Sequence, residues 1–307
     1  MRVNSSESLH GIFQGFSTLG EHAIDGCRIA QHKGSLFCVY VGTNREIMYA
    51  IKPSSAPWQT PLLAKHDSAH DGYMAIEPVE NPVPAAFSLA SNNVPSLVSF
   101  KDALWLIYTD DAGSTVFRRW DEHRSEFILI RERALTVQQS ASFAQLNDTL
   151  YMFYKVASSN NIICASTTDM EHWSRPRLIK KDGINTVTSN VSPAAITYQG
   201  LIHLVYKDTK GGFYLVKSDG EHWTGAIALI PADYTHSPGI AVHNGLLKLV
   251  FCNLPDAASS ALYQYSYDGN ALSPVMPSTL LSATGTPALS TQDGKLIVTY
   301  LETSLVN

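Results

Sequence analysis

The heptapeptide GLIHLVY, residues 200–206, recurs along the chain with its register kept. The matching segments are GSLFCVY (34–40), DALWLIY (102–108), DTLYMFY (148–154), GLLKLVF (245–251) and GKLIVTY (294–300). Each begins with Gly or Asp, has Leu or Ile at its third position and ends with Tyr or Phe. Seven residues before each first residue stands a proline or a small residue: Cys27, Pro95, Ala141, Pro193, Pro238 and Pro287. A register that holds at several positions in six copies indicates six repeats of one structural unit.

Each heptapeptide lies within a longer unit that carries the signals of four short strands. The aromatic residue that ends it is followed by a polar loop and a third strand-like segment: IMYAIK, VFRRWD, IICAST, FYLVKS or LYQYSY. A turn and a short fourth segment, such as RPRLIK or GAIALI, complete units of 45–52 residues. Four short strands rich in β-branched and aromatic residues are typical of a propeller blade. The sequence therefore predicts an all-β, six-bladed β-propeller with four antiparallel strands per blade.

The two ends of the chain predict how the ring closes. The sixth unit begins at Pro287 and has room for only two strands before the chain ends at Asn307. The 20 residues after Pro287 and the first 27 residues together make 47, the length of one repeat. IFQGFS (12–17) matches LYQYSY (262–267), the third strand of its unit, and is followed by EHAI (21–24). We therefore expect N-terminal strands to complete the C-terminal blade and to leave no free sheet edge.

One propeller domain is predicted to span residues 1–307. Its blades are expected at about 27–65, 95–135, 141–184, 193–234 and 238–282, and the last at 287–307 together with 7–24. The first unit is about twenty residues longer than the others because it carries the inserted segment 66–91, which is rich in Pro and Ala. Long loops in compact domains are commonly functional, so this segment is expected to form a lid.

The segments TTDMEHWS (167–174) and KSDGEHWT (217–224) share an Asp that precedes Glu-His-Trp. A weaker copy is SYDGNALS (266–273), and KPSSAPW (52–58) aligns with them but lacks both Asp and Gly. Asp followed by Gly favours a tight turn, in which Asp caps backbone N–H groups and Gly takes a positive φ. A catalytic residue would not be scattered in degraded form over several units. We therefore interpret these segments as turns between the third and fourth strands.

These turns resemble the Asp boxes of the sialidase-like and fucose-lectin-like propellers, with one residue fewer between Ser or Thr and Trp. The repeat SPAAITYQGLIHLVYKD (192–208), followed by SDGEHW (218–223), is similar to repeats of the lectin-like group, and the resemblance covers nearly the whole chain. It implies a six-bladed, lectin-like propeller and, as an expectation, a carbohydrate ligand. Because the matched residues build blades, they support the fold, whereas function depends on the site.

Composition and charge argue against several classes of partner. The chain has 307 residues, 16% of them charged, and a formal net charge of −5, with no run rich in Lys or Arg. This pattern argues against nucleic acid and against an anionic membrane surface. No apolar run approaches the roughly 18 residues that span a bilayer. The first residues show no apolar core of a secretion signal. We expect a cytoplasmic protein, with signal-independent export or a mature secreted form still open.

The sequence predicts neither a cofactor nor a resident metal. The four cysteines occur without a CxxC pair and are expected to be free, buried thiols: Cys27, Cys38, Cys164 and Cys252. Four neighbouring residues could in principle hold a metal: His66, Asp67, His70 and Asp71. An exposed polar loop accounts for their presence as well as a metal site does.

The candidate site consists of polar residues that the propeller topology brings to one face. The loops joining strands two and three share this face with the loops that link one blade to the next. Three acidic residues stand two positions after the aromatic residue: Asp110, Asp208 and Glu302. The inter-blade loops contribute Asp25, Asn92, Gln138, Asn190 and His236, and the inserted segment contributes Tyr73. Such groups converging on an axial funnel suit the hydroxyls of a sugar or of another small polar ligand.

Two functional hypotheses remain open at this stage. The first is a lectin-like propeller that binds a carbohydrate or other small polar ligand in the axial pocket. The alternative is an enzyme that transforms a small metabolite there by cyclase-type or glycosidase-type chemistry. A sialidase is disfavoured because the arginines do not recur at matching positions, and one blade holds Arg118, Arg119, Arg131 and Arg133. Trp120 is either a binding platform or a filler between blades.

Overall fold

The structure, a computed structural model, describes residues 2–8, 13–20, 23–64, 93–110, 113–133, 140–156, 158–230, 234, 236–252, 262–274 and 283–302. These residues contain 26 β-strands and no α-helix. The described residues therefore include no helix that could cross a membrane. The strands form six four-stranded sheets and one two-stranded hairpin. The prediction of an all-β, six-bladed propeller is confirmed.

The strands follow the chain in order, and each blade except the last is continuous in sequence. The first two strands, β1 (Arg2–Ser8) and β2 (Phe13–Gly20), belong to blade 6. Blade 1 contains β3 (Ala23–His32), β4 (Ser35–Gly42), β5 (Ile47–Lys52) and β6 (Leu62–Leu63). Blade 2 contains β7 (Ser96–Phe100), β8 (Ala103–Thr109), β9 (Thr115–Asp121) and β10 (Glu126–Arg133).

Blades 3 to 6 repeat this plan, and blade 3 carries one addition. Blade 3 contains β11 (Ser142–Leu146), β12 (Thr149–Lys155), β13 (Ile162–Thr167) and β14 (Arg177–Leu178), followed by the extra hairpin β15 (Lys180–Lys181) and β16 (Asn185–Thr186). Blade 4 contains β17 (Ala194–Tyr198), β18 (Leu201–Lys207), β19 (Phe213–Ser218) and β20 (Ile227–Ile230). Blade 5 contains β21 (Gly239–His243), β22 (Leu246–Cys252), β23 (Leu262–Tyr267) and β24 (Leu272–Pro274). Blade 6 contains β25 (Ala283–Gln292) and β26 (Lys295–Glu302), completed by β1 and β2.

The heptapeptides form the second strand of each blade, which is covered on both faces by neighbouring blades. Six of the seven residues of β18 are buried, and seven of the eight residues of β4. Burial on both faces replaces the usual alternation by a continuous apolar run. The first residue of a heptapeptide lies in a two-residue turn, as in Gln199–Gly200, where both φ angles are positive at 49° and 72°. Such a turn requires a left-handed backbone, which favours Gly and Asp.

The innermost strands form a closed ring around the axis. Each of them contacts the next one in the order β3, β7, β11, β17, β21 and β25, and β25 in turn contacts β3. The strands on the closing side approach closely: a Cβ added to Gly26 would lie 2.6 Å from the carbonyl oxygen of Thr286. A Cβ added to Gly239 would lie 2.8 Å from the carbonyl oxygen of Pro287. These two glycines therefore allow neighbouring blades to meet near the axis.

The N-terminal strands complete blade 6, as predicted, but in a different strand order. The predicted third strand at 12–17 is in fact the fourth, because β2 pairs only with β1 and Phe13 lies opposite Ser8. The third strand is β1, in which Ser5 pairs with Thr299 of β26. The serine-rich segment of β1 lacks the aromatic pattern of the other third strands. Its buried positions, Val3 and Ser5, are small, so the strand pattern of the other blades is absent from this segment.

Aromatic and apolar side chains fill the junctions between blades. Trp120 is 7% exposed and packs against Phe37, Tyr49 and Phe127, with ring centroids 5.1, 5.7 and 5.1 Å away. Trp120 is therefore the filler between blades 1 and 2 rather than a platform. All four cysteines are free and buried, as predicted.

Candidate functional site

The repeated Asp of the third hairpin is a turn-building residue. In four blades its Oδ1 accepts hydrogen bonds from the backbone N–H groups two and three residues further on, at 2.7–3.1 Å. These residues are Asp121, Asp169, Asp219 and Asp268. The N–H groups of His222 and Glu221 hold the pKa of the Asp219 carboxyl well below its ordinary value, at about 2. Such a carboxylate stays ionised in its turn and is a poor candidate for proton transfer.

Blade 1 replaces the missing Asp with a residue from its neighbour. Asp293, in the turn between β25 and β26, accepts the Ser54 hydroxyl at 2.7 Å and the backbone N–H of Ser55 at 3.0 Å. The sequence KPSSAPW thus loses its own cap without losing the hydrogen bonds of the turn. The recurrence of this arrangement by different means supports a structural role for the repeated hairpins.

The structure describes only part of the predicted axial site. Tyr73, Asn92 and Gln138, together with the inserted segment 66–91, lie outside the described residues. Asp25, predicted in an inter-blade loop, lies within β3, the innermost strand of blade 1. His236 lies half-buried just before β21, and Glu302 ends β26 opposite Arg2 of β1.

Two of the acidic residues in the predicted axial site cap their own loops. Asp110 Oδ1 accepts the backbone N–H of Ser114 at 2.8 Å. Asp208 Oδ1 accepts the backbone N–H of Lys210 at 2.9 Å and the hydroxyl of Thr209 at 3.2 Å. Asn190 joins the second loop, since its Nδ2 donates to the carbonyl oxygen of Thr209 at 3.4 Å. The structure thus brings Asn190 to the Asp208 loop, but it uses these groups to shape loops.

A cleft opens on the opposite rim, between blades 3 and 4. Its volume is about 300 Å³, at the lower end of the range for small-molecule sites. We refer to it as the blade 3–4 cleft. Its lining residues come from β13, from β14 and the extra hairpin, and from the turn before β20: Cys164, Arg177, Leu178, Ile179, Lys180, Gly183, Gly220, Glu221, His222 and Trp223.

The preceding junction, between blades 2 and 3, shows how such a space is normally filled. Phe117 and Met170 are buried there, at 0% and 1% exposure. Arg131 pairs with Phe117 across the strands, and its guanidinium lies 5.7 Å from the centre of that ring. The same guanidinium donates hydrogen bonds to the carbonyl oxygens of Met170 and Glu171 in the hairpin of the next blade. This junction is therefore closed by a ring, a thioether side chain and a docked arginine.

The cleft exists because the equivalent positions between blades 3 and 4 carry smaller side chains. The strand register places Cys164 where blade 2 has Phe117, and Arg177 pairs with Cys164 as Arg131 pairs with Phe117. These two arginines therefore do recur at matching positions, unlike the expectation from the sequence. The hairpin alignment places Gly220 where blade 3 has Met170. A glycine and a thiol thus replace the two side chains that fill the preceding junction, and both residues line the cleft. The Tyr151 hydroxyl occupies the position that a Cβ of residue 220 would take.

Gly220 is constrained by both its backbone and its surroundings. Its φ of +104° is rarely adopted by other residues. A Cβ added there would lie 2.5 Å from the Tyr151 hydroxyl oxygen. Desolvation raises the pKa of Tyr151, with the Cys164 thiol as a second cause, so this hydroxyl is neutral and can donate or accept a hydrogen bond beside the cleft.

The cleft combines an aromatic side chain with charged groups of both signs. Trp223 is half-buried, and its ring meets Phe153 edge-on at a centroid distance of 5.8 Å. Arg177 and Glu221 are exposed, and within the described part of the chain neither side chain makes a hydrogen bond or ion pair. Burial raises the pKa of Cys164 to about 12, which keeps this thiol neutral and unsuited to nucleophilic attack. The arrangement suits binding better than covalent chemistry.

Among the described residues, no group of three or more His, Cys, Asp or Glu side chains could hold a metal. The His and Asp side chains in the hairpins form pairs only: His172 Nδ1 lies 2.7 Å from Asp169 Oδ2, and His222 Nδ1 lies 3.5 Å from Asp219 Oδ2.

Sequence reasoning missed the cleft because it treated the hairpins as equivalent. The signal lay in the differences between repeats: Gly220 against Met170, and Cys164 against Phe117. Each difference removes volume, and both fall on one junction. The sequence alone does not show that both residues line the same cleft.

Comparison with known proteins gives structural matches alone. No protein-family model and no curated protein sequence matches the chain. The fucose-specific lectin from Aleuria aurantia superposes with a TM-score of 0.61 at 11% identity, covering 91% of this chain and 88% of the lectin. AofleA from Arthrobotrys oligospora gives 0.57 at 10% identity, with 98% and 84% covered. An exo-β-1,3-galactanase from Phanerochaete chrysosporium gives 0.55 at 10% identity, with 97% and 78% covered. The resemblance to lectin-like propellers is thus confirmed at the level of the fold.

Proposed function

We propose that this protein is a carbohydrate-binding propeller and that the blade 3–4 cleft is a saccharide site. The observation that carries the proposal is the grouping of the Trp223 ring with the side chains of Arg177 and Glu221 in one concave space. It differs from the predicted axial pocket in position, since the cleft lies on the rim of the third hairpins.

Sugars present both apolar and polar surfaces, and the cleft offers partners for each. The C–H face of a pyranose packs against an aromatic ring, here that of Trp223. Hydroxyl groups accept hydrogen bonds from a guanidinium and donate them to a carboxylate. Arg177 and Glu221 supply these two complementary groups from facing blades. The similar propellers, among them a lectin specific for fucose and a galactanase, support a saccharide as the ligand class.

The axial hypothesis and its enzymatic alternative remain predictions. Asp110 and Asp208 lie in the loops between the second and third strands of blades 2 and 4. Both carboxylates accept hydrogen bonds from their own turns. Carboxylates held in this way are less available as an acid–base pair. Binding in the cleft requires no such pair, and it is the hypothesis with more support from the described side chains.

The test is binding to a glycan array by the wild-type protein and by two matched tryptophan variants. Trp223→Ala removes the ring that lines the cleft, and we expect affinity to fall about ten-fold or more. Trp173→Ala is the control, because it removes the same residue of the same hairpin motif at the closed junction. It is expected to keep wild-type affinity, with a lower melting temperature. Equal losses in the two variants, or none in Trp223→Ala, would contradict the assignment of the cleft.

A further inference from the structure

We infer that the blade 3–4 cleft selects an anionic saccharide, one whose carboxylate or sulfate group is held by Arg177 and Lys180. This inference rests on the proposed function and adds a ligand class to it. The shared chemistry is a planar or tetrahedral oxyanion on a sugar ring, and the experiment below separates its two sources.

The first support is the contrast between two arginines at equivalent positions. Arg131 is occupied by two backbone carbonyl oxygens and by the ring of Phe117. Arg177 has the same place in the next blade, but its guanidinium has no hydrogen-bond or ion-pair partner among the described residues. A guanidinium presents a rigid fork of donors that matches an oxyanion in a bidentate manner. The guanidinium of Arg177 is therefore available to a ligand, whereas that of Arg131 is held by the protein itself.

The second support is a cation brought to the cleft by an additional element. The hairpin β15–β16 is the one two-stranded sheet in the described part of the chain, and it contributes Lys180 and Gly183 to the lining. Like Arg177, Lys180 is exposed and its ammonium group lacks an ion-pair partner within the described ranges. Two cations from successive strands thus border the same cleft, which a purely structural hairpin would not require.

The residues that line the cleft carry more cations than carboxylates. Glu221 is the one carboxylate among the lining residues. The Asp219 carboxylate is already engaged by the backbone N–H groups of Glu221 and His222. The described lining therefore carries two free cations and one free carboxylate. An oxyanion placed beside Arg177 and Lys180 would balance this excess, and Glu221 would remain available for a sugar hydroxyl.

Binding of matched saccharide pairs tests the inference directly. The probes are methyl β-glucuronide against methyl β-glucoside, and galactose 6-sulfate against galactose. Affinities are measured by calorimetry at low and at high NaCl concentration. We expect the acidic member of at least one pair to bind about ten-fold more tightly at low salt. The preference should shrink at high salt, because the cations are exposed and screened. The preferred pair identifies carboxylate or sulfate as the group recognised.

Three charge variants locate the effect. Lys180→Gln should reduce the preference for the acidic member several-fold while leaving binding of the neutral member nearly unchanged. Arg177→Gln should weaken binding of both members, and that of the acidic member several-fold more, because the guanidinium also donates to sugar hydroxyls. Lys210→Gln makes the same change of charge at an exposed residue in a strand two–three loop, on the opposite rim, and should have no effect. The melting temperature of each variant confirms that it is folded.

The outcomes separate this inference from the proposed function. Equal or tighter binding of the neutral members, lost in Trp223→Ala, would overturn the anionic ligand and leave the saccharide site intact. A preference for the acidic members that Lys210→Gln reduces as much as Arg177→Gln does would also overturn it, because general charge would then be responsible. Absence of binding to every probe and to the glycan array would overturn both.

Discussion

Adding one methyl group to Gly220 should destabilise the protein by about 2–3 kcal/mol, and the structure divides this cost into two parts. The first part is the backbone, because φ is +104° and a residue with a Cβ is disfavoured there by about 1–2 kcal/mol. The second is a steric contact, because the new Cβ would lie 2.5 Å from the Tyr151 hydroxyl oxygen. The next atoms, Tyr151 Cζ and Leu146 Cδ2, are at 3.3 and 3.6 Å, so the hydroxyl is the main obstacle. Displacing the Tyr151 side chain from its rotamer costs about 1 kcal/mol.

A double-mutant cycle separates the two parts. Tyr151→Phe removes only the obstructing oxygen, for which the structure gives no hydrogen-bond partner among the described residues. In that background Gly220→Ala should cost only the backbone part, so the two substitutions should show a coupling of about 1 kcal/mol. The free energies of unfolding are measured by urea denaturation of all four proteins. A Gly220→Ala variant as stable as wild type would refute this account of the constraint on Gly220. So would an unchanged cost in the Tyr151→Phe background.

Three further predictions concern the hydrogen bonds of the junctions and turns. Arg131→Ala should lower the free energy of unfolding by about 1–3 kcal/mol, because it removes two hydrogen bonds to carbonyl oxygens and the contact with a buried ring. Arg177→Ala should lower it much less. Equal losses of unfolding free energy in urea denaturation would contradict the contrast between the two junctions. The pKa of Asp219 is lowered to about 2, so the stabilising effect of its carboxylate is complete above the ordinary pKa of about 4 and is lost as the pH falls towards 2. Thermal melts between about pH 4 and pH 2 should therefore show a smaller fall in melting temperature for Asp219→Asn than for wild type. Asp293→Ala should lower the melting temperature, since it removes the cap from the turn of blade 1. A melting temperature equal to that of wild type would show that the turn needs no cap.

The blade plan could be predicted because it is encoded in local, repeated physics. A two-residue turn demands Gly or Asp, the covered second strand demands an apolar run, and the ending aromatic residue fills a junction. These demands recur in every blade, so that six copies reinforce one another. β1 was not recognised as a strand from the sequence, because its buried residues, such as Val3 and Ser5, are small. The ring closure was nevertheless predicted, since it depends on chain length and on repeat number rather than on any one strand.

The candidate site was harder to predict because an acidic residue has two common uses at a loop. Asp110 and Asp208 were placed on the axial face by topology, yet each carboxylate accepts a hydrogen bond from its own turn. A sequence does not distinguish a capping Asp from a ligand-binding Asp when both follow a strand. The cleft presents the opposite difficulty. It is lined by residues smaller than their counterparts in the preceding junction. Such a difference is recognised only when the repeats are aligned and the residues of neighbouring blades are compared.

A comparison of three successive junctions shows how the one beside the blade 3–4 cleft differs from the other two. Between blades 2 and 3, Met170 and Arg131 fill the space. Between blades 4 and 5, the Lys217 ammonium donates to the carbonyl oxygen of Gly269 at 2.9 Å, and the Gln199 side chain covers the same glycine. Leu272 replaces the tryptophan of the hairpin there, and Ile227 replaces the arginine. At the junction between blades 3 and 4 Tyr151 covers Gly220 in the same way. Among these three junctions, this one alone keeps both Trp and Arg and leaves the arginine without a hydrogen-bond partner among the described residues. Selection for stability alone would favour filling this space, because an open junction forfeits packing contacts. On the proposed function, a bound saccharide would supply those contacts.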